Sequence, residues 1–463
     1  MTDSPSSSMD LRLSALRNSL GSGVISARQL LEHCLDRATD PSGEGDRAFL
    51  SIAADRARAV ADGVDAARKT GAPLPPYAGI PVAVKDLCDI EGEVTTAGSK
   101  ILADRAPAAA TATSAARLLA AGFNVIGRTN MTEFAYSGLG LNVHYDTPRA
   151  PWERPVGGRI PGGSSSGSAV AVADGMVAGA LGTDTGGSCR IPAAFCGIVG
   201  YKPTARRVPL EGIFPLSRSL DSVGPLANSV DCCAAMDSVF AGNTTAVDKS
   251  LGVARPAGRI RLALITNFVL DNLDQDVAVA TESALSKLGA AGVEITEITF
   301  PELHRIGSLS PNGGLAAAEA YHWHRELLAT SADGYDQRIR TRIEPGSKTT
   351  ASEYIDILDG RRQLIEAAAR HLAGFDAFIL PTVAVTPPTV SSFDDGDADY
   401  YSSQNMLCLR NTAVGNMLDS CAISLPAVSD SGAPAGIMLM GPPMGDADLF
   451  SVARTVEAIL ATT

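Results

Sequence analysis

Apolar and polar positions along the 463-residue chain switch between two periods, and each switch marks an element. Ser26 precedes Ala27-Arg28-Gln29-Leu30-Leu31-Glu32-His33-Cys34-Leu35, an N-cap residue ahead of strong helix formers. An Ala-, Arg- and Asp-rich stretch over 55–69 predicts a second helix, which the Gly/Pro-rich residues 71–76 end. Gly79-Ile80-Pro81-Val82-Ala83-Val84-Lys85-Asp86 is a short apolar run closing on two charges, and its β-branched residues between turn signals predict a buried strand. A helix over 113–121 and a strand over 124–127 follow. Farther on, 260–265, 375–380 and 422–425 read as strands, 277–291 and 446–460 as helices. The more charged stretch 302–370 reads as mostly helical. Strand, helix and strand in succession predict an α/β fold, a central mixed sheet covered by helices.

The stretch 157–188 breaks this pattern. A Gly/Ser/Pro loop over 157–167 precedes a small-residue segment over 169–180, and a second glycine loop, Gly182-Thr183-Asp184-Thr185-Gly186-Gly187-Ser188, closes it. Read as one helix of about 12–15 residues, the segment would be roughly 20 Å long. Ser164 and Ser188 then meet only if the chain folds back after it.

Composition narrows the class. Hydrophobic residues are 45% and charged residues 19%, which excludes a disordered chain. At roughly 150 residues per domain the length would allow about three domains, but neither an internal repeat nor a long linker separates such units, so one large domain fits better. Aromatic residues are only 5% against 45 glycines, so small side chains supply much of the packing. The net charge of −13 argues against a nucleic-acid binder, which normally carries a basic excess. No stretch reaches about 18 apolar residues free of charge, so no membrane span is expected. The start, Met1-Thr2-Asp3-Ser4-Pro5, lacks the basic and apolar regions of a signal peptide, and the eight cysteines include no CxxC pair. A cytoplasmic protein with reduced thiols is the expectation.

The glycine loops carry the candidate chemistry. Glycines beside a serine let a substrate carbonyl approach the backbone, and successive N–H groups can form a nest for an oxyanion. A phosphate loop of the GxxxxGK[ST] type is excluded by the missing lysine. Gly163-Ser164-Ser165-Ser166-Gly167 matches the G-x-S-x-G nucleophile elbow around Ser165, but the residues before it, Val156-Gly157-Gly158-Arg159-Ile160-Pro161, cannot form the core strand that the elbow requires. A histidine base would have to come from His304, His322, His324 or His371. His322 and His324, two apart, point to different sides of a helix, which suits no shared metal. Lysine is the other candidate base. A lysine is normally protonated at neutral pH, and desolvation can free it. Lys85, at the end of an apolar strand, is one of few lysines in such surroundings. Position alone allows it equally to reach solvent.

At this point the residues resemble a known family. Gly162 through Ser168, and Gly182-Thr183-Asp184-Thr185-Gly186-Gly187-Ser188-Cys189-Arg190-Ile191-Pro192-Ala193-Ala194, resemble the amidase signature, which Phe195-Cys196-Gly197-Ile198-Val199-Gly200-Tyr201-Lys202-Pro203-Thr204 continues. The strand ending at Lys85 and the stretches 375–382 and 426–442 are similar to further parts of that family. The resemblance implies the amidase signature fold over 71–463, with 1–70 as a helical lead-in. It implies a Ser–Ser–Lys triad: Ser188 as the acylated nucleophile, Ser164 as the bridging serine after a cis Gly163–Ser164 peptide, and Lys85 as the base. The backbone N–H groups of Thr185, Gly186, Gly187 and Ser188 match the oxyanion loop. No metal or organic cofactor is implied. Cys189 reads as a packed thiol, and Arg190 as structural in preference to a carboxylate anchor.

Glu133-Phe134-Ala135-Tyr136-Ser137-Gly138-Leu139-Gly140 resembles the family loop beside the acyl pocket, which makes Tyr136, Ser137 and Gly138 candidate substrate-binding residues. Residues 302–370 and 411–419 are expected to shape the rest. The activity implied is hydrolysis of a small amide or ureide through an acyl-enzyme, by a free-standing enzyme that binds neither nucleic acid nor membrane. The alternative is the glutamine-hydrolysing component of a tRNA-dependent amidotransferase. A homodimer is one expectation for the assembly.

Overall fold

The computed structural model describes residues 9–245 and 253–462. Residues 1–5, read above for a targeting signal, lie outside the described residues. Eleven strands among them form one mixed sheet. In chain order they are β1 (Phe49–Ile52), β2 (Pro81–Lys85), β3 (Asn124–Thr129), β4 (Gly179–Thr183), β5 (Val199–Lys202), β6 (Val223–Ala227), β7 (Arg261–Ile265), β8 (Glu294–Ile298), β9 (Ala377–Pro381), β10 (Ala422–Val428) and β11 (Pro434–Met440). Across the sheet the order is β1-β3-β2-β4-β6-β5-β10-β11-β9-β7-β8. β2 runs parallel to both β3 and β4, while β4–β6, β5–β6, β5–β10, β10–β11 and β9–β11 are antiparallel. β7 returns to parallel pairing with β8 and β9.

Alternation along the strands places a core on each face. In β7, Leu262 and Leu264 join one buried cluster, Ala263 and Ile265 another. In β9, Ile379 belongs to the first, Phe378 and Leu380 to the second. The first cluster is closed by helices Ala27–Ala38, Ser166–Ala173, Val230–Phe240 and Asp446–Leu460. Ala351–Leu372 closes the second with Ile357, Leu364 and Leu372. Ser26 caps its helix through a capping box with Gln29, and the helix continues to Ala38.

Several elements depart from the sequence reading. The stretch 49–52, inside the expected helical lead-in, forms the edge strand β1 against β3. The small-residue segment after Ser164 is not one helix. A helix of eight residues, Ser166–Ala173, gives way at Asp174-Gly175, and the chain returns as β4. Gly182 and Thr183 therefore end a strand instead of opening a loop. Gly175 sits at φ 68°, a conformation glycine adopts without a Cβ clash. β6 carries no strand signal in the sequence, because Gly224 and Pro225 are strand breakers by propensity. Gly224 is needed there, since a Cβ would strike the Tyr201 carbonyl. No helix among the described residues is long and apolar enough to cross a membrane.

Candidate active site

The parallel pair β2 and β4 brings the first two groups together. Val84 lies opposite Leu181, so both strands end at the same sheet edge. In α/β sheets, ligands collect beyond the carboxyl ends of parallel strands. Lys85, the last residue of β2, is wholly buried, and its Nζ donates to Thr183 Oγ1 at the end of β4 (2.9 Å) and to Ser164 Oγ (2.7 Å). It makes no ion pair among the described residues, and burial lowers its pKa from 10.5 to about 7. The alternative of a solvent-reaching Lys85 is thus excluded.

The fold-back also joins the two glycine loops. The short helix and β4 bring residues 184–188 beside residues 163–165, where Ser165 N donates to the Ser188 carbonyl (3.2 Å). The Gly163–Ser164 peptide is cis, and the Ser164 carbonyl accepts from Thr132 N (3.2 Å). Ser165, the centre of the elbow-like match, is buried between the loops with its hydroxyl donating to the Thr183 carbonyl (3.3 Å). No strand precedes it.

In the second loop the carbonyls of Asp184, Gly186 and Gly187 are tied, while the N–H groups of residues 185–188 are not. The Gly186 carbonyl accepts from Thr412 Oγ1 (2.7 Å), Gly187 from Ile191 N (2.8 Å) and Asp184 from Ser222 N (3.1 Å). The N–H groups of Thr185, Gly186, Gly187 and Ser188 have no acceptor among the described residues. Such a row of unpaired donors is suited to a developing negative charge. A buried ion pair fixes the loop's ends. Arg190 Nη2 and Nε donate to Asp184 Oδ1 (2.8 Å) and Oδ2 (3.0 Å), and Arg190 also donates to Asn416 Oδ1 (2.7 Å) and the Thr412 carbonyl (2.9 Å). Burial raises the Asp184 pKa, but Arg190, Lys202 and Asn416 outweigh it and hold the carboxyl near 2. Arg190 is fully buried and its donors are spent inside the protein. Cys189 is buried too, against the Gly224 carbonyl (3.6 Å). All eight cysteines are free and buried.

A cavity of about 170 Å³ opens onto this edge, lined by Ser188, Thr185 and Gly186, by Tyr136 and Ser137, and by Arg342. Lys85 and Ser164 lie outside its lining. Gly138 does not line it either. Its N–H donates to Asn405 Oδ1 (2.9 Å) and its carbonyl accepts from Gly163 N (2.8 Å), so it braces the loop behind. Leu409, Asn416 and Met417 complete the wall. Of the expected shaping regions, 302–370 contributes Ile306, Leu309, Arg342 and the turn around Gly313, and 411–419 contributes Ala413, Asn416 and Met417. A wider cleft of about 740 Å³ beside Trp323 holds none of the serines or lysine named above.

Sequence reasoning missed Thr183, which shares the Lys85 amine, and Asp221, which accepts from Thr185 Oγ1 (2.5 Å) and from the N–H groups of Leu216 and Ser217. Burial raises the Asp221 pKa to about 6. It also missed Arg342, far from Lys85 in sequence and marked by no motif. The histidines are elsewhere: His324 is buried against Phe134 and Tyr335, and burial lowers its pKa to about 4. Among the described residues no three metal-ligating side chains cluster.

Residues 29–450 match the family model described as Amidase. The protein belongs to the amidase signature family, hydrolases that act on carbon–nitrogen bonds. Over 410 residues it is 36% identical to 2-amino-5-chloromuconic acid deaminase of Comamonas testosteroni, covering 88% of this chain and 87% of the relative. It is 32% identical to the A component of glutamyl-tRNA(Gln) amidotransferase from Synechococcus sp. (strain WH7803), over 95% of each chain. The crystal structure of an amidase superposes with a TM-score of 0.86 at 29% identity, covering 97% of this chain and all of the other.

Proposed function

We propose that the protein hydrolyses a small amide or ureide to a carboxylic acid and ammonia or an amine, through Ser188, Ser164 and Lys85. The observation that carries this reading is the buried Lys85 amine, 2.7 Å from Ser164 Oγ and without an ion pair among the described residues. With its pKa near 7, a large share of it is neutral at physiological pH and free to accept a proton.

Lys85 takes the Ser164 proton as Ser164 takes that of Ser188, and Ser188 Oγ bonds to the carbonyl carbon. The carbonyl oxygen becomes an oxyanion facing the N–H groups of residues 185–188. Each well-placed donor of this kind contributes about 3 kcal/mol to a transition state. The C–N bond then breaks, Ser164 returns a proton to the departing nitrogen, and an acyl ester remains on Ser188. Water, deprotonated through the same relay, cleaves the ester and releases the acid. Tyr136 and Ser137 border the acyl group. The similarity to a deaminase and to amidotransferase components supports a reaction that frees an amino nitrogen.

The test is ammonia release from a panel of primary amides, anilides and ureides by wild type and by Lys85→Ala, Ser164→Ala and Ser188→Ala. All three variants lose hydrolysis, and a fluorophosphonate labels wild type but not Ser188→Ala. Near wild-type turnover by Ser188→Ala would overturn the assignment. The 32% identity to an amidotransferase component supports a second reading, a glutamine-hydrolysing chain that passes ammonia to a partner. Stable co-purification with a second protein, together with glutamine turnover only in that complex, would favour it.

A further inference from the structure

We propose that Arg342 is the specificity residue of this cavity, and that it selects amides carrying one carboxylate and no ammonium group. The inference rests on the reading of Ser188 as the residue that attacks the amide. Arg342, on the helix Gln337–Ile343, is the one charged residue in the cavity lining among the described residues. The remaining wall is apolar or neutral.

Its guanidinium is held but not neutralised. Nε donates to the Tyr136 carbonyl (3.0 Å), and the guanidinium carbon stands 4.8 Å from the Tyr136 ring centroid. The neighbouring Arg338 and Arg340 pair with Asp336 and Glu344, whereas Arg342 has no carboxylate within ion-pair distance among the described residues. Nη1 and Nη2 have no hydrogen-bond partner among the described residues. An arginine fixed at Nε and stacked on a ring presents its outer donors as a ready fork, a geometry that matches a carboxylate bidentately. An unpaired cation on the wall of a narrow cavity is costly unless its ligand supplies the counter-charge.

Among the described residues the same wall carries no acidic side chain. A zwitterionic amino acid would satisfy Arg342 with its carboxylate but leave its ammonium desolvated against groups such as Leu309, Leu409 and Met417. At about 170 Å³ the cavity suits only a short molecule. A dicarboxylic acid monoamide meets all three demands. Its amide lies at Ser188, its carboxylate at Arg342, and its linker runs along the apolar wall.

Three matched probes test this: glutaramate, L-glutamine (glutaramate with an α-amino group added) and pentanamide (glutaramate with the carboxylate replaced by methyl). Wild type has a kcat/KM for glutaramate at least about tenfold above that for either of the others. In Arg342→Gln the ratio of glutaramate to pentanamide falls about tenfold or more, mainly through KM, and Arg342→Lys recovers part of it. An unchanged ratio in Arg342→Gln, or glutamine turned over as well as glutaramate by wild type, would overturn the proposal. Calorimetry on Ser188→Ala separates this from the catalytic reading. Glutaramate binding that weakens about tenfold on adding Arg342→Gln upholds the carboxylate site even if wild type hydrolyses no amide, a result that would sink the catalytic reading alone. Binding unaffected by Arg342→Gln would sink the carboxylate site while leaving Ser188 chemistry untouched.

Discussion

Lys85→Met tests whether the buried amine is neutral, and it does so without any substrate. An ordinary lysine titrates near 10.5, whereas burial holds Lys85 near 7. At about 1.4 kcal/mol per pH unit, that gap corresponds to about 5 kcal/mol of folding free energy lost to burial at pH 7 and below. Methionine fills similar volume and carries no charge. It gives up the hydrogen bonds to Ser164 and Thr183, about 1 kcal/mol each. At pH 7 the variant is therefore more stable than wild type by about 3 kcal/mol, although it is inactive. Between about pH 7 and 10.5 the unfolded wild-type chain holds a proton on Lys85 that the folded chain does not. Wild-type stability thus rises with pH across this window relative to the variant, and the order reverses near pH ~9, where about two units at about 1.4 kcal/mol each have offset the deficit. Urea unfolding of both proteins at intervals from pH 7 to 10 reads the difference, in which all other titrating groups cancel. The expected change is about 4 kcal/mol over that range. A difference that stays flat would show Lys85 protonated in the folded protein, and the proton relay proposed for it would fall.

Further outcomes follow from the same geometry. With pentanamide, which has no ionisable group, kcat/KM rises with pH through an acid limb near 7 as Lys85 loses its proton. Lys85→Arg, which stays protonated, is inactive at every pH tested, and a limb near 4 in wild type would contradict the assignment. Asp184→Asn leaves the fully buried Arg190 without its counter-charge. The loss is about 3–5 kcal/mol, read as a lowered Tm, and full stability would contradict the role given to this pair. Gly187→Ala places a Cβ at φ 138° against Thr412 Oγ1. It costs about 1–3 kcal/mol by urea unfolding and lowers kcat more than it raises KM, because the row of N–H donors is displaced. An active, equally stable Gly187→Ala would show that this backbone is not needed in its present form.

Legibility in the sequence followed how local each signal is. The helix after Ser26 and the helix Asp446–Leu460 are readable because capping and amphipathic spacing act within a few turns. The buried strand ending at Lys85 is readable because β-branched residues crowd between turns. β6 is not, because its Gly224 and Pro225 oppose the strand they occupy, and only neighbours on both sides hold them there. The length of the helix after Ser164 is not readable either. Small residues suit a helix and a buried strand alike, and the break at Gly175 depends on β4 finding its place between β2 and β6.

The ingredients can be read from the amino-acid order alone: two glycine loops with their serines, a strand that ends on a lysine, and a family resemblance that assigns these groups to one kind of chemistry. These are properties of short segments and survive without a fold. It took the folded chain to seal Lys85 from water, to bring the loops together through a short helix and a returning strand, and to set Arg342 in the wall beside Ser188 with no carboxylate partner among the described residues. The physical reason is that charge state and recognition depend on solvent exclusion and on approach between distant segments. Neither quantity is encoded at any single position of the chain.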